Sequence, residues 1–86
     1  MYILSFSNKF QRQVTKLSNG NLQLKNQIKK TVILLSKDIN YPSLRLHKLS
    51  GEKFWSVSVN KSIRIIIRWN EGKLYLLRIG THEEVY

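Results

Sequence analysis

The C-terminal part of the chain constrains the fold most, because it holds three apolar runs separated by two short polar breaks. The runs lie between Trp55 and Tyr86, in the sequence WSVSVNKSIRIIIRWNEGKLYLLRIGTHEEVY. Each run is too short for a typical helix and is rich in the Ile, Val, Trp and Tyr residues that strands favour. Short polar breaks between such runs are typical of consecutive hairpins. The sequence therefore predicts an antiparallel meander of three strands.

Side chains alternate along the first two of these strands, so that the two faces of the sheet differ. One face carries an apolar row, made of Trp55, Val57, Val59, Ile63, Ile65, Ile67 and Trp69. The opposite face carries Arg64 and Arg68 together with Ser56 and Ser58. Because successive strand residues point to opposite sides of a sheet, we expect the apolar row to pack in the core and the other face to be only half apolar.

Short polar segments connect the predicted strands. Asn60-Lys61-Ser62 is predicted to form the first tight turn. Asn70-Glu71-Gly72 is predicted to form the second, with the glycine supplying a positive φ. Upstream, the segment SLRLHKLSG is predicted to be a strand or an extended segment that ends in the turn Ser50-Gly51-Glu52.

Two amphipathic helices are predicted before the meander. Apolar residues recur three or four positions apart, first at Phe10, Val14 and Leu17, then at Leu24, Ile28, Val32 and Leu35. Ser5 or Ser7 can cap the first helix, which ends at Asn19-Gly20. The second begins near Asn21 and ends at Asp38, shortly before Pro42. A short connection of this kind predicts an antiparallel helix hairpin.

The order of these elements predicts the fold class. Residues from Tyr2 to Phe6 form a short first strand, so that an N-terminal strand and a helix hairpin precede the sheet. We expect one α+β domain over residues 1–86, with the helix hairpin packed on one face of a largely antiparallel sheet of four to five strands.

Charge limits the classes of partner. Fifteen Lys and Arg residues stand against five Asp and Glu, a formal net charge of +10 on 86 residues. Such a charge usually serves an acidic partner, which can be nucleic acid, an anionic membrane or an acidic protein; a merely soluble surface is the alternative. The chain has no cysteine and no apolar run near the roughly 20 residues of a membrane span. We therefore expect a cytoplasmic protein without a membrane partner.

Four residues are candidates for chemistry. Arg64 lies in mid-strand among isoleucines, and with few acidic partners in the chain its planar fork favours phosphate binding over a salt bridge. His82 follows the last strand and can exchange a proton near neutral pH, although a surface histidine can equally be inert. Tyr86 can pack on the sheet, stack on a base or fray. His47 is a weaker candidate, and no constellation typical of a metal site is present.

Taken in order, these segments resemble the RelE/ParE superfamily of type II toxins. The segments that carry the resemblance are HKLSG at 47–51, WSVSVN at 55–60, RIII at 64–67 and GTHEEVY at 80–86. The middle is similar to HigB-type toxins, the Gly-Thr-His ending to YafQ-type toxins and the closing Glu-Val-Tyr to RelE. The resemblance covers nearly the full length and implies the RelE-like ribonuclease fold.

The resemblance also implies a function and a partner. It implies a metal-independent endoribonuclease that needs no cofactor, cleaves mRNA in the ribosomal A site and is held inactive by a cognate antitoxin. Arg64 matches the arginine that contacts the scissile phosphate, and His82 matches the acid or base. Tyr86 matches the terminal aromatic residue of the site, and His47 falls where some members place another histidine. We expect four more residues to bind RNA or the ribosome, namely Lys48, Lys61, Arg68 and Arg45.

The sequence departs from RelE next to the matched arginine. Trp55 and Val57 stand where RelE carries two lysines, and Ser58 stands where an arginine is expected. These departures favour chemistry based on histidine. The superfamily also contains ParE-type toxins, which inhibit DNA gyrase without cleaving RNA, and this is the alternative function; an inactive relative that only binds RNA or a partner is a third. Arg64, His82 and Tyr86 all stand at positions that match the nuclease site, and this favours the nuclease.

Overall fold

The computed structural model describes residues 1–49 and 53–85 of the chain. Strand β1 (Ile3–Phe6) is followed by helices α1 (Asn8–Ser18) and α2 (Leu22–Lys37). A 3₁₀ turn (Pro42–Leu44) leads to strand β2 (His47–Lys48). Strands β3 (Phe54–Ser58), β4 (Ile63–Asn70) and β5 (Lys73–Thr81) follow, and the short helix α3 (His82–Val85) comes last. Across these described residues, no helix has the length and apolar character needed to cross a membrane.

Polar side chains define where the two long helices begin. The Ser7 hydroxyl accepts a hydrogen bond from the backbone N–H of Phe10 at 2.9 Å, and the Asn21 side chain accepts one from Leu24 at 3.0 Å. Each cap satisfies an N–H group that has no partner inside its helix. Gly20, between the helices, has a φ of +72°, which glycine adopts without steric cost. The predicted helix hairpin and its capping residues are confirmed.

The five strands form one sheet in the order β1-β5-β4-β3-β2. β1 pairs with β5 in parallel, and every other pair is antiparallel. On the face that the helices cover, Val57 lies opposite Ile65, which lies opposite Ile79, and all three are buried. They form one core with residues of both helices, among them Phe10 and Leu35. The predicted α+β architecture and the predicted apolar row are confirmed.

A β-bulge in β5 changes which residues face the core. Ile66 lies opposite Arg78, but its neighbour Ile67 lies opposite Leu76, so that Leu77 is the extra residue. The Ser7 hydroxyl, which caps α1, donates a hydrogen bond of 2.8 Å to the Leu77 carbonyl. The bulge returns Ile79 to the core and therefore turns Arg78 and Gly80 to the opposite face.

The predicted strand before the meander is mostly wrong. Pro42 begins a 3₁₀ turn, which buries Leu44 in the core. Arg45 then adopts the left-handed conformation, with φ 47° and ψ 55°. His47 and Lys48 pair with β3, and the Leu49 N–H donates to the Phe54 carbonyl at 2.9 Å. The turn and the left-handed residue prevent an extended chain before His47. The turn predicted at residues 50–52 lies outside the described residues.

The β4–β5 turn also differs from its prediction. Glu71, not Gly72, has the positive φ, at 56°. The Glu71 carbonyl accepts a hydrogen bond of 2.9 Å from the indole N–H of Trp69, and the Gly72 carbonyl accepts one of 3.0 Å from Ile3. The positive φ therefore falls on the glutamate, in a turn whose two carbonyls both accept hydrogen bonds.

Candidate active site

The sheet face opposite α1 and α2 is polar and is partly covered by α3. Ile66 points to this face, and Ile66 and Val85 of α3 are each only 1% exposed although neither belongs to the main core. Helix α3 packs against β4 and β5. We infer that Val85 and Ile66 form a small second apolar layer, which fixes the start of α3 at His82 beside the polar part of the sheet.

An open cleft of about 370 Å³ lies on this face. Its lining residues are Arg45, Leu46, His47, Arg64 and His82. Four separate parts of the chain supply them, namely the segment before β2, β2 itself, the start of β4 and the start of α3. Both histidines are exposed and Arg64 is half-buried, so that a ligand in the cleft can reach all three side chains.

Arg64 is held in a fixed orientation by two neutral oxygens. Its Nε and Nη2 atoms donate to the Ser56 hydroxyl at 3.2 and 3.0 Å, and Nη2 also donates to the Arg45 carbonyl at 3.1 Å. Neither oxygen carries a charge, so neither is a counter-ion for the guanidinium. Its Nη1 atom makes no hydrogen bond with any residue that the structure describes, and this edge of the fork can bind an anion such as phosphate.

The two supports of Arg64 are themselves rigid. Ser56 is fully buried within β3, which leaves its side chain little freedom. The Arg45 carbonyl is aimed at Arg64 by the left-handed backbone of Arg45, a conformation that costs roughly 1–2 kcal/mol in a residue other than glycine. A costly conformation of this kind, located in a cleft, is typical of functional sites. On the other side of Arg64, β5 presents Gly80, which has no side chain to obstruct the arginine.

A comparison with protein families decides the identity of the chain. The model of a bacterial toxin of type II toxin-antitoxin systems, YafQ, matches residues 2–86. The chain belongs to the YafQ toxin family. The predicted resemblance to the RelE/ParE superfamily is thereby confirmed. No curated protein sequence matches the chain.

Solved structures of several toxins share the fold. YafQ from E. coli strain BL21(DE3) superposes with a TM-score of 0.80 at 20% identity, over 100% of this chain and 99% of that one. A copper-bound mutant toxin from Helicobacter pylori gives a TM-score of 0.83 at 22% identity and covers 100% of both chains. The YoeB/ParE toxin from Agrobacterium tumefaciens gives 0.78 at 13% identity, over 95% of this chain and 99% of that one. At such identities the likeness establishes the fold alone.

The structure brings together four of the eight site residues predicted for this YafQ-family chain. Arg45, His47, Arg64 and His82 share the cleft. Arg68 points to the same face four residues further along β4, roughly 13 Å from Arg64 at the rise of a strand. Lys61 lies exposed in the turn between β3 and β4. Tyr86 lies outside the described residues.

Lys48 lies away from the cleft. It pairs with Trp55 across the sheet, and its ammonium group lies 5.5 Å from the centre of the Trp55 ring. Since Trp55 points to the helix-covered side, Lys48 faces away from the His47 side chain that precedes it. Among the described residues, no group of three or more His, Asp or Glu side chains is arranged to hold a metal ion.

Sequence reasoning missed how Arg64 is supported. The sequence pattern places Ser56 on the same face as Arg64, but it does not show that Ser56 and the Arg45 backbone hold the guanidinium. One signal was present, because Ser58 lies directly opposite Arg64 and Ser56 is therefore its diagonal neighbour, within reach of a long side chain. The carbonyl of Arg45 had no signal in the sequence.

Proposed function

We propose that this YafQ-family toxin is an endoribonuclease that cleaves mRNA in the ribosomal A site and so stops translation. The observation that carries the proposal is the convergence of Arg64, His47 and His82 on one open cleft. Metal-independent RNA cleavage needs one fixed cation and two groups that exchange protons near neutral pH, and imidazoles are suited to that exchange. Membership of the YafQ family supports the same activity.

The reaction is attack of the ribose 2′-OH on the adjacent phosphate. One imidazole takes the 2′-OH proton as O2′ bonds to phosphorus, the P–O5′ bond breaks, and the other imidazole gives its proton to the departing O5′. The products are a 2′,3′-cyclic phosphate and a 5′-OH. His47 and His82 share the two proton transfers, each a contribution of about 10²–10⁴-fold.

Arg64 supplies positive charge at the scissile phosphate. The Ser56 hydroxyl and the Arg45 carbonyl orient the guanidinium before RNA binds, so its free Nη1 edge can donate to a non-bridging oxygen without reorganisation. Negative charge on that oxygen increases in the transition state, and groups fixed in advance to stabilise such charge are often the largest single factor in catalysis.

The ribosome positions the substrate in this proposal. The cleft is open and shallow, so free RNA has few contacts that would align O2′ with phosphorus, and alignment itself lowers a barrier substantially. The net charge of +10 favours docking onto ribosomal RNA, with Arg45, Lys48, Lys61 and Arg68 as contacts. Such a role places the protein in the cytoplasm.

The inhibitory partner is an antitoxin protein. The E. coli DinJ-YafQ complex and the Staphylococcus aureus YoeB-YefM complex both contain chains with this fold, at TM-scores of 0.78 and 0.76. For this chain we propose an acidic, partly disordered antitoxin segment that covers the basic cleft and becomes ordered as it binds.

A purified translation system tests the nuclease. Wild-type protein is expected to cleave mRNA only when ribosomes are present. Arg64→Ala is expected to slow cleavage about 10²–10³-fold, as the loss of one such electrostatic group does in other enzymes. Lys25→Ala/Lys29→Ala is the control, because it removes two exposed charges of α2, far from the cleft in the fold. Circular dichroism verifies that each variant is folded.

A second readout separates the proposal from its alternative. If wild-type protein arrests growth while transcripts stay intact, and if purified protein blocks supercoiling by DNA gyrase, the chain acts as a ParE-type toxin. An Arg64→Ala/His82→Ala variant that arrests growth as strongly as wild type likewise contradicts the nuclease.

A further inference from the structure

A second cleft, of about 330 Å³, lies across β2 from the first. Its lining residues are Lys48, Lys53, Trp55, Trp69, Asn70 and Glu71. His47 lines the first cleft and Lys48 lines the second, because adjacent residues of a strand point to opposite faces. β2 is an edge strand of the sheet, so the two clefts border the same edge of the sheet.

The floor of this second cleft is a rigid aromatic surface. The rings of Trp55 and Trp69 lie 5.4 Å apart between centroids, tilted by 59°. Trp69 is held by two further contacts, a T-shaped contact with Tyr2 at 5.8 Å between ring centroids and a 2.9 Å hydrogen bond from its indole N–H to the Glu71 carbonyl. Both tryptophans are half-buried. A planar group can therefore stack here with little loss of side-chain freedom.

Two lysines lie beside this aromatic surface. The Lys48 ammonium lies 5.5 Å from the centre of the Trp55 ring, and Lys53 lines the same cleft. Within residues 1–49 and 53–85, Glu71 is the acidic residue of the lining. A planar ligand that takes the ring face would displace the Lys48 ammonium, which can then pair with an anion carried by that ligand.

We propose that the second cleft binds one nucleotide of the single-stranded RNA whose scissile phosphate lies at Arg64. Its base stacks on Trp55 with its edge towards Trp69, and its phosphate pairs with Lys48 and Lys53. This inference rests on the proposed function. RNA is favoured over an acidic peptide because rigid aromatic rings beside cations are the usual means of holding single strands without reading their sequence. The strand has only to pass the short edge strand β2 to reach both clefts.

Tryptophan fluorescence tests this inference directly. The chain has two tryptophans, and both line this cleft. The probe is a pentanucleotide of adenosine with every 2′-OH methylated, so that it cannot be cleaved. Titration into wild-type protein is expected to quench tryptophan emission until it saturates. Emission that stays unchanged overturns the inference.

Two variants that each remove two lysines distinguish a specific binding site from general charge attraction. Lys48→Ala/Lys53→Ala is expected to reduce the magnitude of the slope of log K against log salt by about 0.7, since the two lysines pair with one phosphate and each phosphate contact to a single strand contributes about 0.7. Lys25→Ala/Lys29→Ala removes the same charge from α2 and is expected to leave the slope unchanged. An equal change in both variants overturns the inference.

A separate variant tests whether the base stacks on the tryptophan. Trp55→Leu keeps an apolar side chain but removes the aromatic face, and is expected to weaken binding about ten- to hundredfold. Anisotropy of a labelled probe measures this binding, and the remaining emission of Trp69 reports folding. Wild-type affinity in this variant overturns the inference. So does an oligoglutamate peptide of equal charge that quenches at lower concentration than the RNA, because the cleft then binds protein.

The two proposals can fail separately. Arg64→Ala/His82→Ala is expected to abolish mRNA cleavage and to retain quenching by the pentanucleotide. Cleavage by wild-type protein without quenching overturns the second cleft alone. Quenching without any cleavage by wild-type protein overturns the nuclease alone.

Discussion

Ser56 is the residue on which the geometry of the cleft depends most. Its buried hydroxyl accepts from both Nε and Nη2 of Arg64. The guanidinium is a charged donor, and such hydrogen bonds contribute about 1.5–3 kcal/mol each. A support of this kind affects where the charge lies without contacting RNA, so Ser56 is a positioning residue in the proposed reaction.

Ser56→Ala is therefore expected to slow ribosome-dependent cleavage about ten- to hundredfold, with little change in ribosome affinity. The measurement is single-turnover cleavage at saturating ribosome concentration, with binding followed separately. Ser58→Ala is the matched control, because Ser58 lies directly opposite Arg64 but donates its hydroxyl to the Asn60 carbonyl. Equal losses in the two variants would show that Ser56 does not position Arg64.

At the scale of elements, the long helices and strands can be predicted from the sequence, because each has a local cause. Ser7 and Asn21 cap the helices, and the alternating isoleucines of β4 define its core face. Helix α3 has only four residues, too few for a periodic pattern, and depends on packing against β4 and β5. A short helix of this kind follows from tertiary contacts that no local pattern reports.

The candidate site was predictable only in part, for the same reason. Arg64 and His82 differ enough from their neighbours to be recognised in the sequence. Their proximity to His47 depends on the strand order, which places β2 beside β3 and β5 beside β4. The left-handed Arg45 depends on the burial of Leu44 and on the bond to Arg64. Neither of these can be read from periodicity or composition.

The β4–β5 turn gives a prediction at this scale. Glu71 has a φ of 56°, which costs a residue other than glycine roughly 1–2 kcal/mol. Glu71→Gly removes this strain but adds freedom to the unfolded chain, and is expected to raise the free energy of unfolding by about 0.5–1 kcal/mol. Glu71→Ala, which removes the carboxylate and keeps the strain, is expected to give no such gain. Urea denaturation measures both, and a gain in the alanine variant alone would refute the strain account.

At the scale of the whole molecule, one core stabilises both clefts. The helices cover one face of the sheet, so the opposite face can carry charge that a core would not tolerate. A domain of this size is held by a net stability of only about 5–15 kcal/mol. Damage to the core is therefore expected to disable the cleft on the far side of the sheet.

Ile65 is the most informative core position, because it is fully buried and lies next to Arg64 in β4. Ile65→Ala is expected to lower the free energy of unfolding by about 2–5 kcal/mol. Ile3→Ala, at a position that is 67% exposed, is the control and is expected to change it by less than about 0.5 kcal/mol. Thermal unfolding measures both. Similar melting temperatures for the two variants would contradict the assignment of a single core.

The central claim is that the cleft of Arg64, His47 and His82 cleaves mRNA through its own 2′-OH. The most direct measurement places two mRNAs on purified ribosomes, one all-ribose and one with a single 2′-deoxy nucleotide at the cleavage position. Wild-type protein is expected to cut the first, to leave a 2′,3′-cyclic phosphate and not to cut the second at that position. Equal cleavage of both mRNAs would contradict the central claim.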